Sequence, residues 1–343
     1  MNTIEKIKKQ IQSNLAIVLV SLVAITFISC DDDPIQKDTL PPVSLTFNLE
    51  RDQDQMGDFF GNAMALHNGK VWSSGGDNSY TNNATSSADI WSSADGAAWI
   101  SVTSIGDART GHTLTAFDNK LWLIGGENND DEWLDDVWYS SDGSASSWTN
   151  STATTPVPFG TIAYHSTVVF NGKMYVIAGK RATNATEVWS SIDGENWIEE
   201  TANAFSGRVR HKAVVFNNTI YVIGGEDIGA NKLNEIWQST DGSHWTLVAN
   251  NSSIFPGRLG HTATVYNNKV WVIGGRTATE PFTNDIYYSD NLIDWTKYTG
   301  LNPLEPIGAH ETLMHNDALW VFGGKIDDTE AGVTGKIWSI KED

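Results

Sequence analysis

Six tandem copies of one unit, 46 to 53 residues apart, fill the chain from Asn62 to its end, and no other feature limits the possible folds as strongly. The clearest copy runs from Arg258 to Trp295. Its Gly274-Gly275 doublet has counterparts at Gly75-Gly76, Gly125-Gly126, Ala178-Gly179, Gly224-Gly225 and Gly323-Gly324. Thirteen residues before each doublet stand Asn62, His112, His165, His211, His261 and His310. Six residues beyond that position every copy has a two-residue turn: Asn68-Gly69, Asp118-Asn119, Asn171-Gly172, Asn217-Asn218, Asn267-Asn268 or Asn316-Asp317. A unit of this length buries its apolar face only against its neighbours, and the period is that of a propeller blade.

Alternating apolar segments such as HTATVY and KVWVIGG flank each turn. Asn and Gly tolerate the positive φ of two-residue turns, so these segments predict a β-hairpin, strands a and b. The doublet ends strand b where the chain turns without a Cβ. A connection of variable sequence leads to a short aromatic strand c, beginning at Asp89, Asp136, Glu187, Glu235, Asp285 and Lys336. Ser-x-Asp-Gly-x-x-Trp follows at Ser93–Trp99, Ser191–Trp197 and Ser239–Trp245, with variants before Trp148 and Trp295. There Asp bonds its own turn, Gly supplies positive φ, and the Trp opens strand d. Four strands per repeat predict an all-β fold, a six-bladed β-propeller of four-stranded antiparallel blades. Fifteen Trp and thirty Gly against nine Pro suit such a chain. The last repeat ends at Asp343 without strand d, and the spare segment Val43–Leu49 is expected to pair beside its strand c and close the ring.

The N-terminus differs in kind. Lys6, Lys8 and Lys9 precede an apolar run from Leu15 to Ile28, too short for a spanning helix and suited to a secretory signal. It ends at Phe27-Ile28-Ser29-Cys30, which resembles a bacterial lipobox with Phe27 where Leu is usual. The resemblance implies lipidation at Cys30, the only cysteine, and anchoring by acyl chains that each add about 0.8 kcal/mol per buried CH₂. Asp31, Asp32 and Asp33 resemble the surface-export signal of Bacteroidetes lipoproteins, whereas in other Gram-negative groups Asp beside the cysteine goes with inner-membrane retention. The expected organisation is a signal over residues 1–30, a flexible acidic and Pro-containing tether over 31–42, and the propeller over 43–343, with the protein displayed outside the cytoplasm on the bacterial outer membrane. A single cysteine leaves no disulfide to form. The formal charge of −20 becomes −22 when Lys6, Lys8, Lys9 and Glu5 leave with the signal, which disfavours nucleic acid as a partner.

The histidine that opens strand a, the Arg three residues before it in three blades, the glycine doublet and the aromatic of strand c together resemble the kelch repeat, over residues 59–343. The Ser-x-Asp-Gly-x-x-Trp turns resemble the Asp-box of sialidases, a structural element in those proteins. Galactose oxidase, which has kelch-like blades, needs a cysteine beside its copper, and none follows Cys30. Sialidases carry an early Arg-Ile-Pro motif, absent here. Sialate mutarotases, six-bladed kelch proteins, match the architecture, and a carbohydrate-active enzyme of that kind is the alternative function.

Strand a is innermost in a propeller, so His112, His165, His211, His261 and His310 are expected around one mouth of the channel, as a polar rim or, given their recurrence, as structural consensus residues. No His-x-x-x-His spacing supports a metal, and no cofactor is expected. Arg109, Arg208 and Arg258 are candidates to hold a carboxylate or sulfate there, or to pair with local acids. The connections between strands b and c, on the same face, vary most and add Tyr80, Trp133 and Phe282 as candidates to stack on a sugar. Asp130, Asp131, Glu132, Asp135, Glu226 and Asp227 add acceptors. No catalytic residue is assigned. The leading expectation is a monomeric, lipid-anchored protein that binds a glycan or protein ligand without chemistry.

Overall fold

All six turn pairs adopt positive φ at both residues, from 46° at Asp118 to 72° at Gly69, so each a–b hairpin closes with the twist that its strands require. The computed structural model describes residues 42–52, 56–77, 86–152, 154–180, 184–250, 254–329 and 332–343. The signal, Cys30, residues 31–41 of the tether and Tyr80 lie outside the described residues. Leu40–Asp343 is one compact unit that contains every blade.

Five blades are sequential antiparallel sheets in the order a-b-c-d. Blade 1 comprises Ala63–His67, Lys70–Ser74, Asp89–Ser93 and Trp99–Ser104, and blade 2 Thr113–Phe117, Lys120–Ile124, Val137–Ser140 and Thr149–Asn150. Blade 3 comprises Ser166–Phe170, Lys173–Lys180, Asn184–Ser191 and Trp197–Thr201. Blade 4 comprises Lys212–Phe216, Thr219–Ile223, Ile236–Ser239 and Thr246–Ala249. Blade 5 comprises Thr262–Tyr266, Lys269–Ile273, Ile286–Ser289 and Thr296–Lys297. Blade 6 takes Glu311–His315, Ala318–Phe322 and Ile337–Glu342 from the C-terminus and its fourth strand, Leu45–Arg51, from the other end. That strand runs antiparallel beside strand c, as the sequence predicts, though over Leu45–Arg51 rather than Val43–Leu49, and it pairs Leu45 with Glu342 and Leu49 with Trp338. Ser44 and Thr46 donate hydroxyl hydrogen bonds to the Asp343 carboxylate at 2.6 and 2.8 Å.

Strand b is buried on both faces, because each blade is flanked by two others. The apolar side chains accordingly form six clusters, one at each seam between adjacent blades. The seam between blades 6 and 1 has its own, built on Phe59, Val71, Trp99, Trp320, Phe322 and Ile337.

The Asp-box turns stitch the outer part of these seams. In blade 3, Ser191 Oγ accepts from the Gly194 N–H at 2.8 Å, and Asp193 Oδ1 accepts from the Glu195 and Asn196 N–H groups at 2.9 and 2.7 Å. The glycine that this creates lies against the previous blade: a Cβ on Gly194 would stand 2.3 Å from the Trp122 ring, and one on Gly143 2.2 Å from Trp72. Gly96 meets Trp320 across the closing seam in the same way. Among the described residues every regular element is a strand, and no helix is long and apolar enough to cross a membrane.

Candidate functional site at the channel mouth

The residue just before each blade's His or Asn forms the rim of one channel mouth. These are Gly61, Gly111, Tyr164, Arg210, Gly260 and Ala309, all at φ between 50° and 66°. Each donates its backbone N–H to the carbonyl of its counterpart one blade back, including Gly61 to Ala309 at 2.8 Å and Gly111 to Gly61 at 3.4 Å. Six blades thus share one closed circle of backbone hydrogen bonds. Left-handed backbone suits glycine, and non-glycine residues held there carry about 1–3 kcal/mol of strain. Tyr164 and Arg210 are therefore the two bulky exceptions.

Beneath this rim lie the histidines, and the glycine doublets explain their place. The second glycine packs on its own blade's histidine, with a would-be Cβ 2.8 Å from His165 at Gly179 and 2.9 Å from His261 at Gly275. The first faces the next blade's ring, as Gly75 faces His112 and Gly274 faces His310. His165 Nε2 lies 3.0 Å from Thr113 Oγ1, and His310 Nε2 lies 3.1 Å from Thr262 Oγ1, each reaching the preceding blade. At His211 and His261 both ring nitrogens are left without a partner. Burial pushes His112 and His310 down to about 3 and places His211 and His261 well below the usual histidine range, so these four are neutral. All five, with Asn62, line a cavity of about 370 Å³ open at the mouth. No group of three or more His, Cys, Asp or Glu among the described residues is placed to hold a metal.

The three arginines lie elsewhere, which corrects the expectation that they face the mouth. Arg109, Arg208 and Arg258 are 1%, 0% and 0% exposed. Each Nη1 donates to the carbonyl of its own blade's first doublet glycine, at 3.0, 3.1 and 2.8 Å. The guanidiniums then turn to the acid that opens strand c. Arg109 holds Asp136 bidentately at 2.6 and 2.8 Å, Arg208 holds Glu235 at 2.6 Å, and Arg258 stands 3.9 Å from Asp285. Where the arginine is absent, Phe59, Ile162 and Ile307 fill the slot as buried apolar residues. The sequence held the signal, because each Arg precedes its acid by 27 residues.

Of the loop aromatics, Trp133 is half-buried, donates Nε1–H to Glu127 at 3.0 Å and lies under Lys180. Phe282 is buried beneath Arg276 and lines a second cavity of about 650 Å³. Tyr164 and Arg210, singled out by neither periodicity nor motif, are at the centre. The Arg210 guanidinium stacks 4.3 Å from the Tyr164 ring centroid, and Tyr164 Oη donates to Glu127 Oε2 at 2.5 Å. Burial, partly opposed by Arg210, pushes the Tyr164 phenol up to about 12, so it stays protonated. Asp77, with Oδ1 buried and unpartnered, has its carboxyl raised by burial against the pull of Lys325. Lys212 and Glu311 pair at 2.8 Å between blades 4 and 6, lining both the mouth cavity and a narrower cavity of about 170 Å³ within the ring of strands a.

Residues 184–341, from strand c of blade 3 onward, match the family model of the KLHDC2/KLHL20/DRC7 Kelch-repeats domain. A search of curated proteins found no match to the chain. The matched repeats, just under half of the chain, and the six four-stranded blades that continue them around the ring together support a kelch-repeat β-propeller, a scaffold suited to binding a protein or another ligand.

Proposed function

We propose that this chain is a lipid-anchored, extracytoplasmic binding protein that recognises a glycan or protein ligand at the channel mouth. One observation carries the reading: the cavity of about 370 Å³ draws its walls from all six blades, and its variable residues, among them Tyr164, Arg210, Asn129 and Asp131, sit on a repeated floor of five histidines and Asn62. Variable side chains on a rigid scaffold are where recognition is built. The apolar segment before Cys30 and the acidic residues after it support delivery through the membrane and attachment at the outer surface. The test is binding of the Leu40–Asp343 unit to glycan and cell-surface protein arrays. The double variant Asn129→Ala/Asp131→Ala should lose the signal, and Asn217→Ala/Asn218→Gly, at an a–b turn outside the mouth cavity, should keep it. Binding that survives the first variant rejects the mouth as the site. Incorporation of a labelled fatty acid that persists in Cys30→Ala rejects the anchor.

A further inference from the structure

We propose that the mouth is a receptor for an anionic saccharide, whose carboxylate or sulfate groups are held by a cationic groove across blades 4 to 6 centred on Arg210. The inference rests on the reading that the mouth face binds a ligand, and adds the chemistry of that ligand.

Arg210 occupies a rim position where four of six blades have Gly or Ala, at φ 54°, beside Tyr164 at φ 56°. Strained residues of this kind gather where a side chain is needed for recognition. Tyr164 fixes the presentation. Its ring is confined between Arg210 and Gly111, where a Cβ would stand 2.6 Å from it, and its hydroxyl is tied to Glu127. The guanidinium stacked on this ring is exposed and has no ion pair among the described residues. A planar fork held in this way loses little freedom on binding a carboxylate or sulfate.

Arg210 also forms the wall shared by the two mouth cavities. The larger one adds Lys232, Arg276 and Lys325, together with the carboxylates of Glu226 and Glu280. The nearest carboxylate to Lys232 is Glu226 at 3.9 Å, Lys325 lies over Phe60 without an ion pair among the described residues, and Arg276 is engaged by Asp328 at 2.9 Å. A chain with 22 basic and 42 acidic residues has thus gathered four cations against two carboxylates along one groove. Such a cleft focuses a positive field against the negative surroundings.

A saccharide is favoured over an inorganic anion or an acidic peptide by the adjoining cavity. There the exposed or half-buried, uncharged side chains of Ser86, Thr110, Asn128 and Asn129 line the wall, offering hydrogen bonds of the kind hydroxyls accept and donate. Asp77, Glu127 and Asp131 line the same cavity on the side of blades 1 and 2, whereas Glu311 of blade 6 is paired with Lys212. The first three repel a second anionic group, so the bound chain lies with its charged units over blades 4 to 6.

Calorimetry of the Leu40–Asp343 unit with four probes tests this: tetragalacturonate, a heparin tetrasaccharide, cellotetraose and tetraglutamate. At least one acidic saccharide should bind about tenfold or more tighter than either of the last two, and should weaken about fivefold or more between about 50 and 500 mM NaCl. The preferred acid tells carboxylate from sulfate. Arg210→Gly, which suits the left-handed backbone, should lose about tenfold or more in affinity with a melting temperature no lower than the parent's. The proposal is overturned if neither acidic saccharide binds, if cellotetraose or tetraglutamate binds as well, or if Arg210→Gly binds unchanged. Cellotetraose binding that is lost in Asn129→Ala/Asp131→Ala would overturn the anionic assignment and leave the mouth reading intact. Binding that is insensitive to both variants would remove both.

Discussion

Replacing Arg109 with isoleucine, the residue that fills the same slot at Ile162 and Ile307, separates a structural role for the arginines from a ligand-binding one. The substitution removes donors to the Asp107 carbonyl at 2.9 Å, the Gly125 carbonyl at 3.0 Å, and both oxygens of Asp136 at 2.6 and 2.8 Å. Taking one partner from a buried ion pair costs about 3–5 kcal/mol, because the other charge is left desolvated. Asp136 is 17% exposed and keeps the Trp138 Nε1–H at 2.7 Å, and the isoleucine restores some packing, so the loss belongs near the low end, about 3 kcal/mol. At about 2.1 cal/mol/K per residue, a unit of this size has an unfolding entropy of about 0.6 kcal/mol/K, and the melting temperature should fall by about 5 °C. Scanning calorimetry measures this directly. Arg109→Ile/Asp136→Asn, which also removes the stranded charge, should recover part of the fall. A single variant that melts within about 1 °C of the parent would refute the buried-pair reasoning.

Two further outcomes follow from the packing and the histidines. Gly172 and Gly194 both have positive φ, 72° and 79°, but a Cβ on Gly172 meets nothing within 4 Å whereas one on Gly194 meets Trp122 at 2.3 Å. Gly172→Ala should cost about 1–2 kcal/mol from backbone strain alone, and Gly194→Ala should add about 1–3 kcal/mol of overpacking; equal losses in urea unfolding would deny the turn its role at the seam. For His112 and His310, the folded value of about 3 lies below the unfolded value near 6.5. The unfolded chain therefore binds more protons between those limits, so their contribution is complete above pH about 6.5 and lost as pH falls toward about 3. By pH 5 the loss is of order 2 kcal/mol for each of these two, and His211 and His261 shift in the same direction. A melting temperature flat from pH 7 to 5 would show that the histidines take up protons in the folded state.

Most of the fold was legible because its determinants are local. Asn68-Gly69 and its five counterparts declare a hairpin by their tolerance of positive φ, and Ser191, Asp193 and Gly194 declare a turn in the same way. The closing strand was legible by default, since blade 6 lacked a fourth strand and Leu45–Arg51 had no other partner. The site was less so. Arg109 stands three residues before a mouth histidine, yet its side chain runs into the blade toward the Gly125 carbonyl and Asp136, a direction that position in the chain does not give. The constant interval of 27 residues to the acid was the available clue. Tyr164 and Arg210 carry no signal of period or motif, because their significance lies in backbone conformation; the sequence trace of it is that the residues at the same position in the other four blades are Gly or Ala.

The circle of rim hydrogen bonds makes the position of the chain ends a matter of covalent bookkeeping. The bond across the closing seam, Gly61 to Ala309 at 2.8 Å, is shorter than the one between blades 1 and 2 at 3.4 Å, where the backbone is continuous. The same seam has its own apolar cluster and its own glycine-on-tryptophan contact, Gly96 on Trp320. With Ser44 and Asp343 already hydrogen-bonded to each other, a short peptide joining them would turn the unit into a closed loop of six equivalent joints. The chain could then be opened at an exposed connection elsewhere, giving circular permutants that keep every seam and present the mouth unchanged while moving the point of attachment around the ring.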